Sequence, residues 1–206
     1  MIVTLGGGPD AWVPLFLNFG LSRDGFLSGK IWQMVSYGFL HGGWGHVGLN
    51  AVFLLVIGSK IEHIGGRVAM LVALFAGILG GGLGHLLLGS GLLVGISGAC
   101  FALLLLLTTL SPESRMFPLP VSGRNLGIGV LLAALFLTLV NPTFKLPGFS
   151  GIGEILIEQG LDSLFQISHA CHLGGGLAGW LYGRWILRPR VTLDHLRRER
   201  ARREAN

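Results

Sequence analysis

The run over residues 92–110, LLVGISGACFALLLLLTTL, carries no charge and, ahead of the Thr108-Thr109 pair, a single hydroxyl on Ser97. It approaches the roughly 20 apolar residues that cross a bilayer. Runs of similar character cover residues 45–61, 68–88, 126–140 and 167–187. In hydrocarbon every backbone polar group must be bonded within the protein, so such segments are helices gathered into a bundle. The expected fold is therefore an all-α polytopic membrane bundle with five visible spans. Hydrophobic residues make up 51% of the 206 and charged ones only 12%, with mean hydropathy +0.68, which excludes an ordinary soluble domain. The 35 glycines follow no G-X-Y period and suit close helix packing. Cys100 and Cys171 lie inside apolar runs without metal-ligand spacing and read as packing residues.

The net charge of +5 does not point to nucleic acid, because eight of the fifteen basic residues fall in residues 184–203. Positive charge beside a spanning helix fixes orientation, so the C-terminal tail is expected in the cytoplasm. Anionic lipid is a further partner that such a tail suits. Working back, the turns at Lys60/Arg67 and Arg115/Arg124 also lie inside, leaving Arg23, Lys30 and Lys145 outside. The chain divides into an N-terminal part with an outer interfacial loop (1–40), a membrane core (41–188) and a basic tail (189–206). Residues 1–5 and 11–17 are apolar but too short to span, and residues 18–33 read as an interfacial loop. Between the fourth and fifth spans, residues 141–166 form a loop with Pro142, Pro147 and a short amphipathic segment at 154–161.

This orientation sets Ser97 and His172 at one depth, each on the order of 8 Å inside the outer surface at about 1.5 Å per residue. A serine in a helix can bond back to its own backbone, but an imidazole inside an apolar run is a functional candidate. His46 and Asn50 are four apart and share the outer half of the first span's face; they either bond helices together or supply donors to a reaction. Acyl transfer needs a nucleophile, a base and oxyanion donors, and Ser97, His172, His46 and Asn50 can supply all three. Glu62 and Glu113 sit at cytoplasmic ends, and Glu154, Glu158 and Asp162 lie in the outer loop, so a Ser-His dyad without a third carboxylate is expected. Phe101, one turn below Ser97, can stack on the His172 ring. Gly175 and Gly179, at i+3 and i+7 from His172, would let the fifth span approach the third. His63 and His195 read as solvated, His85 as interfacial, and His169, one turn from His172, as a surface packing residue.

These residues together resemble the rhomboid family of intramembrane serine proteases, in its bacterial type. Gly95-Ile96-Ser97-Gly98 resembles the family's GxSG, His172 with Gly175 and Gly179 its HxxGxxxG, and His41, His46 and Asn50 its H-x4-H-x3-N; the match covers about residues 32–187. The resemblance implies Ser97 as nucleophile and His172 as general base, with His46, Asn50 and the Ser97 backbone N–H as oxyanion donors. Gly95, Gly98, Gly175, Gly179, His41 and Phe101 are supporting residues. It also implies a peptide bond in or near a transmembrane helix as substrate, a lipid bilayer as surroundings, and no metal or organic cofactor. The implied location is a bacterial plasma membrane, with a wet cavity open to the extracytoplasmic side and the C-terminus in the cytoplasm. Trp32 resembles the tryptophan of the family's outer-loop Trp-Arg motif, with Gln33 in the arginine's place, and Phe101 stands where some relatives have tyrosine. The family's first span is expected to be truncated or absent here, since only residues 1–17 precede the loop.

Two rival readings differ in kind. A metal-binding protein or transporter would use His41, His46, His169 and His172, yet lacks acidic ligands in the bundle and an HExxH motif. An inactive rhomboid-like protein would bind transmembrane segments without cutting them.

Overall fold

A computed structural model describes residues 9–116, 120–188 and 193–204. Residues 1–8, and with them the apolar stretch 1–5, lie outside the described residues, as do 117–119, 189–192 and 205–206. Helices α1 (Pro9–Phe19), α2 (Arg23–Leu27) and α3 (Gln33–Ser36) form an N-terminal arm, so the stretch expected as a loop over 18–33 is partly helical. Helix α4 (Trp44–Phe53) runs through a π turn, Leu54–Gly58, into α5 (Ser59–Leu88). Then come α6 (Ser97–Leu110), α7 (Gly123–Leu139), α8 (Ser150–Glu158), α9 (His169–Ile186) and α10 (Leu193–Glu204).

The helical segment Trp44–Leu88 is apolar enough to cross a membrane, but its 45 residues are about twice what one crossing needs. Gly66, at φ 83° and ψ 166°, breaks it between the expected spans 45–61 and 68–88. That conformation is open to glycine and strained for other residues. Ile61 before the break and Ala73 after it share one core cluster with Leu103, Leu106 and Leu107, so both arms pack on α6. The pair Arg67–Glu62, 3.1 Å apart, brackets the turn; being solvent-exposed it contributes less than about 1 kcal/mol.

One expected boundary moves. The third span, read as 92–110, becomes helical only at Ser97. Residues ahead of it are tied to the N-terminal arm: the backbones of Leu21 and Leu93 exchange hydrogen bonds of 3.0 and 2.8 Å, and the Gly95 N–H donates to the Tyr37 carbonyl at 3.0 Å. Tyr37, fully buried, donates its hydroxyl to the Ile78 carbonyl of α5 at 2.7 Å. The paired partners of this segment lie about 60 to 70 residues away in the chain, a distance that no local pattern reports. The amphipathic segment expected at 154–161 also moves, to Ser150–Glu158.

Gln33 has no exposed surface. Its Nε2 donates to the Leu17 and Asn18 carbonyls at 3.2 Å each, and its Oε1 accepts from the Ser22 N–H at 3.3 Å. Trp32 Nε1 donates to the Asn18 carbonyl and Ser36 Oγ to the Phe19 carbonyl, so three side chains cap the end of α1, where four carbonyls lack helical partners. A neutral amide thus carries the interactions at the position where the family motif has arginine.

Helices α5, α6 and α9 form the centre of the bundle. At the α6–α9 contact Gly98 faces Gly175 and Ala102 faces Gly179, and a Cβ on either α9 glycine would collide with the α6 backbone. Thr108 and Thr138 are buried yet satisfied, bonding back to the Leu105 and Ala134 carbonyls of their own helices. Gly175→Ala is expected to lower the thermal midpoint of the purified protein in detergent, since overpacking costs about 1–3 kcal/mol. Gly129→Ala, on an exposed face of α7 with open space around it, is the control and should leave the midpoint unchanged or raise it slightly. Equal midpoints for the two variants would contradict the packing account.

Candidate active site

The α6–α9 contact brings together side chains 75 positions apart in the chain. Ser97, the first residue of α6, and His172, in the first turn of α9, stand with Oγ and Nε2 2.9 Å apart. The α9 turn is fixed by Ser168, whose side chain caps the helix by accepting from the Cys171 N–H. The His172 ring lies on the Phe101 ring with centroids 4.0 Å apart and an interplanar angle of 6°. Phe101 is one turn along from Ser97, so a single helix presents both the hydroxyl and the flat surface that holds the imidazole. His169, on the same face of α9, meets His172 edge-on at 6.0 Å and points its Nε2 at the Leu164 carbonyl, 2.7 Å away.

Starting α6 at Ser97 has a chemical consequence. The first N–H groups of a helix have no partner within it, so this end offers donors and a favourable dipole to a negative charge beside Ser97. The preceding Gly95 has φ 109°, and a Cβ there would stand 2.6 Å from His46 Nε2. Glycine at 95 therefore brings the His46 ring up against the backbone just before the serine. Asn50, one helical turn after His46, is buried, with its Nδ2 3.1 Å from His41 Nε2. Cys100 Sγ lies 3.8 Å from Asn50 Oδ1.

These groups line a cavity of about 700 Å³, among them His46, Asn50, Ser97, Phe101, His169 and His172. Leu49 and Phe53 of α4 and Phe144 and Ile167 of the 141–168 connection add apolar walls. Among the described residues no Asp or Glu lines it, and no group of three or more His, Cys, Asp or Glu is arranged to hold a metal ion. Hydroxyl, imidazoles, amide and helix N-terminus together suit attack on a carbonyl and stabilisation of the oxyanion that forms.

A family model described as the Rhomboid domain matches residues 28–189. The chain belongs to the rhomboid family. Similar proteins are RHOMBOID-like protein 4 of Arabidopsis thaliana, 29% identical over 74% of this chain and 33% of that protein, and Rhomboid-like protein 16, chloroplastic, of the same plant, 37% identical over 36% of this chain and 23% of that protein. Rhomboid-related protein 3 of Homo sapiens is 31% identical over 34% of this chain and 17% of its own length. The chain thus spans a third or less of these relatives. Rhomboid membership makes it a multi-pass membrane protein with an all-α bundle, and is consistent with either an intramembrane protease or an inactive rhomboid-like protein.

Within this rhomboid, His85 sits at the end of α5 as a contact between segments. It is 3% exposed. Its Nε2 lies 3.3 Å from the Gly91 carbonyl and its Nδ1 2.9 Å from Ser168 Oγ. A carbonyl only accepts, so Nε2 carries the proton and the Ser168 hydroxyl donates to Nδ1. One side chain thereby ties the end of α5, the segment before α6 and the cap of α9. The available signal was a polar residue near the end of an apolar run, which in hydrocarbon needs a partner.

Phe101→Ala removes the surface under His172. An aromatic pair contributes about 0.5–1.5 kcal/mol, so if this site acts on a carbonyl through His172 a several-fold fall in kcat is expected, with Phe101→Tyr close to the parent. An unchanged kcat in Phe101→Ala would contradict a role for the stack.

Proposed function

We propose that this chain is an intramembrane serine endopeptidase that cuts peptide bonds in or near transmembrane helices of other membrane proteins. The observation that carries the proposal is the 2.9 Å contact between Ser97 Oγ and His172 Nε2 at the wall of the cavity. In this mechanism His172 Nε2 takes the hydroxyl proton as Oγ attacks the scissile carbonyl. The tetrahedral oxyanion is held by His46, Asn50 and the Ser97 N–H. Its collapse breaks the C–N bond, and the imidazolium returns the proton to the leaving amine. His172 then deprotonates a water, which attacks the acyl-serine ester and releases the acid while Ser97 regains its proton. Phe101 fixes the ring plane that a carboxylate fixes in other serine proteases, Gly95 lets the His46 ring stand against the backbone before Ser97, and Gly98 lets α5 and α9 pack closely beside it.

The substrate must unwind locally, because a helix hides its carbonyls in hydrogen bonds; helix-weakening residues around the cut are the expected preference. The distribution of basic residues supports a cytoplasmic C-terminus and a cavity open to the extracytoplasmic side of the membrane.

The test is cleavage of a tagged single-span protein in liposomes by the parent chain, Ser97→Ala and His172→Ala. Cleavage by the parent, with a loss of about 10³-fold or more in each folded variant, is expected. Equal cleavage by the variants, or binding of the substrate by the parent without cleavage, would contradict the proposal.

A further inference from the structure

An asparagine amide has two ends of nearly the same shape and opposite polarity. Turned one way, Asn50 offers a donor to an oxyanion; turned by 180°, it offers a second negative oxygen. Whatever fixes that choice fixes whether Asn50 stabilises or repels the charge.

Asn50 is 5% exposed and is held at both ends. Cys100, on α6, points its thiol at Oδ1 from 3.8 Å and at the Asn50 carbonyl from 3.9 Å. At the other end Nδ2 lies 3.1 Å from His41 Nε2. An amide nitrogen carries only donors, so His41 Nε2 must accept and the ring proton must sit on Nδ1. That Nδ1 is buried and forms no well-shaped hydrogen bond, although the Phe39 carbonyl stands near the ring. The other tautomer would set Nε2–H against the amide's own hydrogens. His41 also meets the ring of His46 edge-on at 5.0 Å. Asn50, His46 and Cys100 line the cavity, whereas His41 stands behind them.

We infer that His41 is a positioning residue that sets the orientation of the Asn50 amide, accepting one of its N–H bonds so that the other faces the Ser97 cavity. The inference rests on the protease reading above. His41 touches no reacting atom; it acts through Asn50.

The experiment is a double-mutant cycle on cleavage of the single-span substrate in liposomes, with kcat and KM measured for the parent, His41→Ala, Asn50→Ala, the double variant, His41→Gln and His41→Asn. His41→Ala is expected to lose about ten-fold or more in kcat with KM little changed, because only the transition state carries the oxyanion. In the Asn50→Ala background the same change should cost nothing further. His41→Gln, whose Oε1 can take the place of Nε2, should retain most of the activity, whereas the shorter His41→Asn should not. Losses that simply add, or an unchanged kcat in His41→Ala, would overturn the inference. Should His41→Ala fail to fold, equal kcat in folded His41→Gln and His41→Asn would overturn it as well. A parent chain that does not cut brings down the protease reading itself; a parent that cuts, with additive His41 and Asn50 losses, brings down only the positioning role.

Discussion

The backbone approach of α6 to α9 is the constraint on which the rest of the arrangement depends. A serine and a histidine from non-adjacent helices share a 2.9 Å hydrogen bond at a crossing where the two backbones come nearer than ordinary side chains allow. Gly98 against Gly175 and Ala102 against Gly179 provide that approach. In a membrane the solvent around the bundle is as apolar as its interior, so association relies on close packing of small residues and on polar contacts between helices. This chain uses both at one crossing, with the small residues setting the distance and the polar pair occupying it.

A second consequence concerns polar groups at membrane depth. Irregular backbone in that setting persists only where protein or a water-lined cavity satisfies it. The segment before Ser97 meets the condition through Leu21, Tyr37 and His85, which bond to Leu93, Gly95 and Gly91. The N-terminal arm is therefore part of the site's support: Leu21 and Tyr37 are fully buried in the same cluster as Ile78, Ala99 and Cys171. Holding that segment extended lets α6 start at the serine itself, on the wall of the cavity.

The periodic and local parts of this architecture were legible in the sequence. The apolar runs gave the helices, and the i+4 spacings put His46 with Asn50 and Ser97 with Phe101. The spacing of Gly175 and Gly179 from His172 marked the face that meets α6. What the sequence did not reveal were contacts between distant, irregular segments. The pairing of Leu21 with Leu93, the burial of Gln33 under the end of α1 and the tie from His85 to Ser168 have no periodicity. The late start of α6 was hidden for a related reason: residues 92–96 are as apolar as the helix that follows, and only Gly95, at φ 109°, marks the break.

The central claim is that His172 makes Ser97 a nucleophile inside this cavity. Labelling with a fluorophosphonate tests it without any choice of protein substrate, because displacement of fluoride at phosphorus needs only an activated hydroxyl and oxyanion donors. Intact-mass analysis of the purified protein in detergent should show a single adduct on Ser97 in the parent chain. A folded His172→Ala variant should form that adduct at least about a hundred times more slowly. Labelling at another residue, or at the same rate without His172, would contradict the account.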